Sequence, residues 1–250
     1  MFKICYRSFA THGDLQIAKR LGMDVVELVW IDDPGSKGRK DDMLNNLKEY
    51  GISVNAVTSA TGPDADILKA DIDFVAEAGA KFYVPYAPLL AYDSPKEKID
   101  NFLNVWNEVN LYAKDNGVML CVQSCGQTPE SWDMIFSRID GIGLKYDPSF
   151  SLQGGRSYAS EIVKYGKLIK HVHIKDEVIF GQTTDFAQGL KPHRYVPAGM
   201  GDIKWGTVIA LLYEEGYTGD FAVETHSAYW GANMEKDLIL SKRHLEQFIV

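Results

Sequence analysis

The chain has 250 residues, 46% hydrophobic, 12% aromatic and 24% charged, a balance that excludes a disordered or low-complexity segment. Its net charge of −8, with no Lys/Arg-rich block, argues against nucleic acid as a partner, because phosphate backbones are met by a basic face.

The first apolar run, KICY at 3–6, lies inside MFKICYRSFA, which is too short in apolar length for a secretory signal and leads straight into a strand. Further strand-like runs follow at 24–30 (DVVELVW), 53–58 (SVNAVT), 81–86 (KFYVPY), 118–123 (VMLCVQ), 141–147 (GIGLKYD), 169–174 (IKHVHI) and 220–224 (DFAVE). Helix-period segments near 14–22, 41–50, 64–79, 95–116, 128–138, 156–167, 206–216 and 233–248 alternate with them. Ser94 before Pro95, and Asp64, read as N-caps, while Gly22, Gly51 and Gly117 read as stops. In the helix at 95–116, Phe102, Leu103, Val105, Trp106, Val109 and Tyr112 recur at spacings of three and four, the pattern of a core or interface face. The connection from Lys175 to Gly206 is long, and long connections in compact domains serve as lids or substrate walls.

Eight βα repeats in a chain of this length predict one α/β domain over 1–250, a single (β/α)8 TIM barrel, for which about 250 residues is typical. An open doubly wound sheet would want a Gly-rich turn after its first strand, where SFATHGD supplies only Gly13. In a parallel barrel the chemistry comes from the C-terminal strand ends. There stand Gln123, Asp147, His173 and Glu224, too far apart in sequence to share one helix or hairpin. Singly, each has a bland reading: a carboxylate that caps the next helix, a core histidine, a polar strand end. Together, one imidazole, two carboxylates and an amide oxygen form a set suited to Mn²⁺, Co²⁺ or Zn²⁺, with positions left for substrate oxygens.

The stretches HVHIKDE (171–177), PAGMGDIKW (197–205), GYTGDFAVETH (216–226) and GMDVVEL (22–28) resemble the sugar phosphate isomerase/epimerase family. These are xylose isomerase-like barrels whose members include ketose epimerases, hydroxypyruvate isomerases, inosose dehydratases and endonuclease IV. The resemblance implies a metal held by Glu, Asp, His and Glu at the ends of strands five to eight, falling here on Gln123, Asp147, His173 and Glu224. It also implies, in ketose epimerases, a His three residues after the Asp, where this chain has Phe150. An amide at 123 cannot exchange a proton, so the two-base scheme of the epimerases lacks one partner and Glu224 remains the single base. Such a site would isomerise or epimerise a small sugar, sugar phosphate or polyol-derived ketone through an enediolate. Loss of a β-hydroxyl would instead make it an inosose-type dehydratase, and loss of the metal site would leave a sugar-binding barrel.

Lys175 shares strand parity with His173 and is a candidate to stabilise an enediolate oxygen or act as an acid, or else to pair with a carboxylate. His226 shares parity with Glu224; His193 and Arg194 come from the long connection, the arginine suited to a phosphate or carboxylate. Glu27 and Trp30, near the second strand's end, could bond and stack on a polyol, or serve as a buried ion partner and a rim aromatic. Lys145 points inward one layer deeper and calls for a partner such as Glu27. Tyr229 and Trp230 would line the pocket or meet a second subunit, which leaves a homo-oligomer open. Three cysteines without a CxxC pair, and no run of ~18 apolar residues, point to a reducing cytoplasm and no membrane partner. A DNA repair endonuclease would need more than six histidines and a basic footprint.

Overall fold

Strands β1 (Ile4–Ser8), β2 (Val25–Trp30), β3 (Ser53–Ser59), β4 (Phe82–Pro85), β5 (Met119–Gln123), β6 (Gly143–Tyr146), β7 (Ile169–Ile174) and β10 (Phe221–Val223) close into a barrel. Their order is β1-β10-β7-β6-β5-β4-β3-β2, the sequential neighbouring of a (β/α)8 barrel. The computed structural model describes residues 2–30, 39–60, 64–86, 92–125, 127–180, 193–226 and 233–249. By its internal packing the chain divides into two compact units, 7–145 and 1–6 with 146–250.

In the unit 7–145, β2 through β6 are joined by parallel ladders and bury Val26, Leu28, Val54, Val57, Val84, Leu120, Val122 and Leu144, as expected for strands covered by helices. The helices are α1 (His12–Arg20), α2 (Arg39–Tyr50), α3 (Ala65–Glu77), α4 (Lys96–Asp115) and α5 (Pro129–Phe136). Asp64 caps α3 by accepting from the backbone N–H groups of Asp66 and Ile67 at 3.0 and 3.1 Å. Gly22, Gly51 and Gly117 end α1, α2 and α4 at φ of +70°, +58° and +71°, where a side chain would be strained. The expected cap at Ser94 is not the one used: Pro95 occupies the N-cap of α4 without a side-chain bond. Helix α4 buries Phe102, Leu103, Trp106 and Val109, which settles that stripe as core.

In the other unit, β10 lies between β1 and β7, with Ala222 opposite both Cys5 and His173. Helices α7 (Tyr158–Tyr165), α8 (Trp205–Glu214) and α9 (Met234–Leu245) follow the strands. A short helix, α6 (Pro148–Gln153), which the sequence pattern does not announce, starts directly after β6. A buried network holds α6 to α7: Glu161 accepts from Tyr146 at 3.0 Å, from Arg156 at 2.7 Å and from Ser151.

The connection expected as a loop from Lys175 to Gly206 carries structure of its own. Strands β8 (Asp176–Ile179) and β9 (His193–Val196) pair antiparallel, with Glu177 opposite Tyr195. Beyond β9, the buried Asp176 carboxylate accepts from the N–H groups of Gly199, Gly201 and Ile203 and from Trp205 Nε1, all within 2.9–3.2 Å. One side chain thereby supplies the acceptors for a segment that has no ladder partner. Among the described residues, no helix is long and apolar enough to cross a membrane.

Candidate metal and substrate site

Asp147 follows β6 and performs two tasks with its two oxygens. Oδ1 caps α6, accepting from Ser149 N at 3.0 Å and Ser149 Oγ at 2.7 Å, with Pro148 pre-set at the first helical position. Oδ2 is left to face Lys175 Nζ at 2.8 Å. The capping reading of this residue is therefore realised, and its second oxygen lies in an ion pair with Lys175.

His173 lies on β7 with its ring buried, and its Nδ1 is 3.2 Å from Glu224 Oε2. Glu224 follows β10 and is fixed by its backbone N–H, which donates to Ile174 O at 3.0 Å. Asp147, His173 and Glu224 each present one donor atom, and the three atoms lie within 4.8 Å of one another. One imidazole with two carboxylates in so small a volume fits a divalent ion of the Mn²⁺, Co²⁺ or Zn²⁺ kind.

Lys175 closes the cluster. Its ammonium is 2.8 Å from Asp147 Oδ2 and 3.5 Å from Glu224 Oε2, with the Phe150 ring centroid at 3.9 Å and the Tyr195 centroid at 5.4 Å. Burial favours the neutral amine, but the Asp147 and Glu224 charges outweigh it and hold the group above its ordinary value, so it stays an ammonium. Burial likewise disfavours the Glu224 carboxylate, yet Lys175 and then His173 keep it well below the usual range. Glu224 is thus ionised at neutral pH.

His226 joins the same cluster: its Nε2 is 3.9 Å from Glu224 Oε2 and its ring stacks on Tyr195 at 4.0 Å. His193 is buried on β9, its ring centroid 5.0 Å from that of Tyr195. Arg194 alternates to the other side of β9, exposed, donating to His193 O at 3.0 Å and lying 5.3 Å over Phe180.

Three expected site residues belong to the unit 7–145. Gln123 ends β5, buried, opposite Lys145, and its Nε2 has no hydrogen-bond partner among the described residues. Glu27 is fully buried in β2, accepts from Thr58 Oγ1 at 2.6 Å and faces Arg7 Nε at 3.6 Å, the environment of an internal ion partner. Trp30 closes β2, its side chain lying outside the described residues, as do Tyr229 and Trp230.

Two residues at the cluster had no signal as site members in the sequence. Tyr195 is placed there by β9, a strand hidden within the long connection, and Glu177 by β8. Glu177 is fully buried; Gln153 Nε2 donates to its Oε2 at 2.7 Å, while Oε1 has no partner among the described residues. Burial pushes the carboxyl up to about 7 against the pull of Gln153 and Lys175. Phe150, read in the sequence only as a missing histidine, supplies the nearer of the two aromatic faces against Lys175.

A closed parallel barrel with metal-capable groups at its strand ends defines a class. The chain belongs to the xylose isomerase-like TIM barrel family, whose pattern matches residues 15–247. Inosose dehydratase of Clostridium perfringens is 24% identical over 153 residues, covering 56% of this chain and 52% of that protein. The chain thus spans about half the length of the curated relatives it matches. Among solved structures, a xylose isomerase domain protein from Planctomyces limnophilus superposes with a TM-score of 0.79 at 15% identity, over 99% of this chain and 95% of that one. D-allulose 3-epimerase from Methylomonas sp. gives 0.73 at 14%, over 99% and 98%. A xylose isomerase-like TIM barrel protein from Mycobacterium smegmatis, in complex with magnesium, gives 0.73 at 17%, over 100% and 98%. At these identities the structural likeness shows the fold alone.

Proposed function

We propose that the chain is a divalent-metal-dependent enzyme that enolises a small hydroxy-ketone and isomerises a sugar, sugar phosphate or polyol-derived ketone. The observation that carries this reading is the meeting of Asp147, His173 and Glu224 donor atoms within 4.8 Å beside a permanent ammonium. Those three residues would hold the ion, and Gln123 is carried as a fourth, neutral donor on the sequence pattern alone. When bound, the ion would supply Lewis-acid polarisation of the substrate's oxygens, worth several kcal/mol of transition-state charge stabilisation.

The rest falls to the chain's own groups. Glu224, ionised, takes the proton beside the carbonyl; the C–H electron pair becomes the carbon–carbon double bond of an enediolate and the carbonyl oxygen takes the charge. Lys175, held as an ammonium, offers that oxygen a fixed positive charge without surrendering its proton. The proton of the neighbouring hydroxyl passes to that charged oxygen, and Glu224 returns its proton to the former carbonyl carbon on the same face, so that the neighbouring carbon becomes the new carbonyl and an aldose–ketose exchange is complete. His226 and His193 are proposed to bind substrate hydroxyls. Arg194, on the outer face of β9, and Glu27, engaged by Thr58 and Arg7, have weaker support as substrate ligands.

A second reading is favoured by the name of the curated relatives: dehydration of an inosose-type ketone. From the same enediolate a β-hydroxyl leaves as water, taking the proton that Glu224 has just removed while the enediolate's electron pair expels it, so that one base suffices. The test is a panel of ketoses, ketose phosphates and inososes with added Mn²⁺, followed by solvent-deuterium incorporation and product mass. Deuterium in an isomeric product supports isomerisation, and a product one water lighter supports the dehydratase. Glu224→Gln and His173→Ala should each lower turnover at least about a thousandfold, as for loss of an essential base or ligand. Gln123→Glu should tighten metal uptake. Full activity in thoroughly demetallated protein would refute the metal-dependent mechanism.

A further inference from the structure

Taking the metal reading above as its basis, the geometry points to Lys175 as a resident cation that sets metal affinity: its ammonium holds the carboxylate oxygens a divalent ion must take, and yields by turning to Glu177. The first half rests on distance. Lys175 Nζ lies 2.8 Å from Asp147 Oδ2 and 3.5 Å from Glu224 Oε2. Asp147 Oδ1 is committed to Ser149 at the start of α6, so Oδ2 is the oxygen that remains for an ion, and it is the one the ammonium occupies. Glu224 Oε2 is shared between Lys175 and His173 Nδ1. An ion and the ammonium compete for these oxygens, since like charges at such separations repel.

The second half concerns where the ammonium goes. A buried lysine stripped of both carboxylates would be an uncompensated charge, which is costly. Glu177, two residues along the chain from Lys175, is fully buried and has one carboxyl oxygen, Oε1, without a partner among the described residues. Its other oxygen is anchored by Gln153. Phe150 and Tyr195 present aromatic faces to the ammonium at 3.9 and 5.4 Å, and cation–π contact lets the charge pass along them at reduced cost. Phe150 stands where the resemblance calls for a histidine, and a histidine there would supply a second basic group in place of this apolar face.

The device lowers the fraction of protein ready to accept an ion and so weakens the apparent affinity. It also places a positive charge between Asp147 and Glu224 in the metal-free protein, where two bare carboxylates would repel.

The experiment is calorimetric titration of Mn²⁺ into chelator-treated full-length protein, for wild type, Lys175→Met, Glu177→Gln and the double variant, with far-UV circular dichroism confirming that each is folded. Lys175→Met, similar in length and uncharged, should bind Mn²⁺ at least about tenfold more tightly than wild type. Glu177→Gln should weaken binding in the wild-type background and leave it unchanged in the Lys175→Met background, because Glu177 acts only through the ammonium. A purely electrostatic Glu177 would weaken binding in both. Equal affinity in wild type and Lys175→Met, or an equal Glu177→Gln effect in both backgrounds, overturns the inference while leaving the metal site standing. No uptake by any of the four proteins overturns the metal site and the inference together. Should Lys175→Met fail to fold, a crystal structure of Mn²⁺-loaded wild type decides: Nζ still on Asp147 Oδ2 refutes the exchange, and Nζ on Glu177 supports it.

Discussion

Glu224 and Glu177 are acids largely shielded from solvent, and their surroundings drive them in opposite directions. Glu224 faces a permanent ammonium and stays charged, whereas Glu177 gains one amide donor, retains an unpartnered oxygen and has its carboxyl pushed up to about 7. The ordinary value for this side chain is 4.5, so between pH 4.5 and 7 the folded metal-free protein holds a proton that the unfolded chain has released. Stability must then fall as pH rises through that window, by at most about 3 kcal/mol from this group, and be unaffected by it below the window. Glu177→Gln removes the titration, so its unfolding free energy relative to wild type should grow from pH 4.5 to 7; parallel curves across that range would contradict the assignment. The strand-end donors were legible because each closes a β-branched or apolar run, and strand parity then names the neighbours Lys175 and His226. Glu177 and Tyr195 were not legible. Their environment is made by β8 pairing with β9, a contact between two short segments flanking a stretch with no periodic signal.

Among the elements, the segment Ala198–Trp205 shows how a stretch without ladder partners is still held. Asp176 accepts four donors from it, and Gly201 approaches so closely that a Cβ would lie 2.3 Å from Asp176 Oδ1 and 2.5 Å from Glu177 O. The motif PAGMGDIKW thus places glycine where the chain passes against a carboxylate and a carbonyl. Asp176→Ala leaves these four N–H groups and that of Glu177 to find water or go unpaired and should cost about 3 kcal/mol, read from urea unfolding. A loss under about 1 kcal/mol would show that solvent replaces the carboxylate there. Gly201→Ala should be destabilising as well, since one of the obstructing atoms is backbone. The long connection illustrates what periodicity misses: β8 and β9 have four residues each, too few to carry a reliable alternation of their own. Pro95 displacing Ser94 at the start of α4 is the converse case. A proline is acceptable at a helix start because its missing N–H has no intrahelical acceptor there, although as the N-cap it offers no side-chain oxygen to the first-turn N–H groups.

At the scale of the molecule, the division at Tyr6/Arg7 and Lys145/Tyr146 falls inside strands β1 and β6. Ile4 to Tyr6 pair with β10, while Arg7 and Ser8 belong to the other unit; Gly143 to Lys145 pair with β5, while Tyr146 starts the network around Glu161. For one unit to unfold alone, strands β1 and β6 would each have to end in mid-run. The eight-strand reading of 1–250 as a single domain therefore carries a thermodynamic expectation. In hydrogen exchange followed by mass spectrometry at rising urea, peptides spanning 53–123 and 169–223 should lose protection at the same midpoint and with the same slope. Separate midpoints would establish two independently folding domains and retire the one-domain proposal, and the unit with the lower midpoint would identify which half opens first.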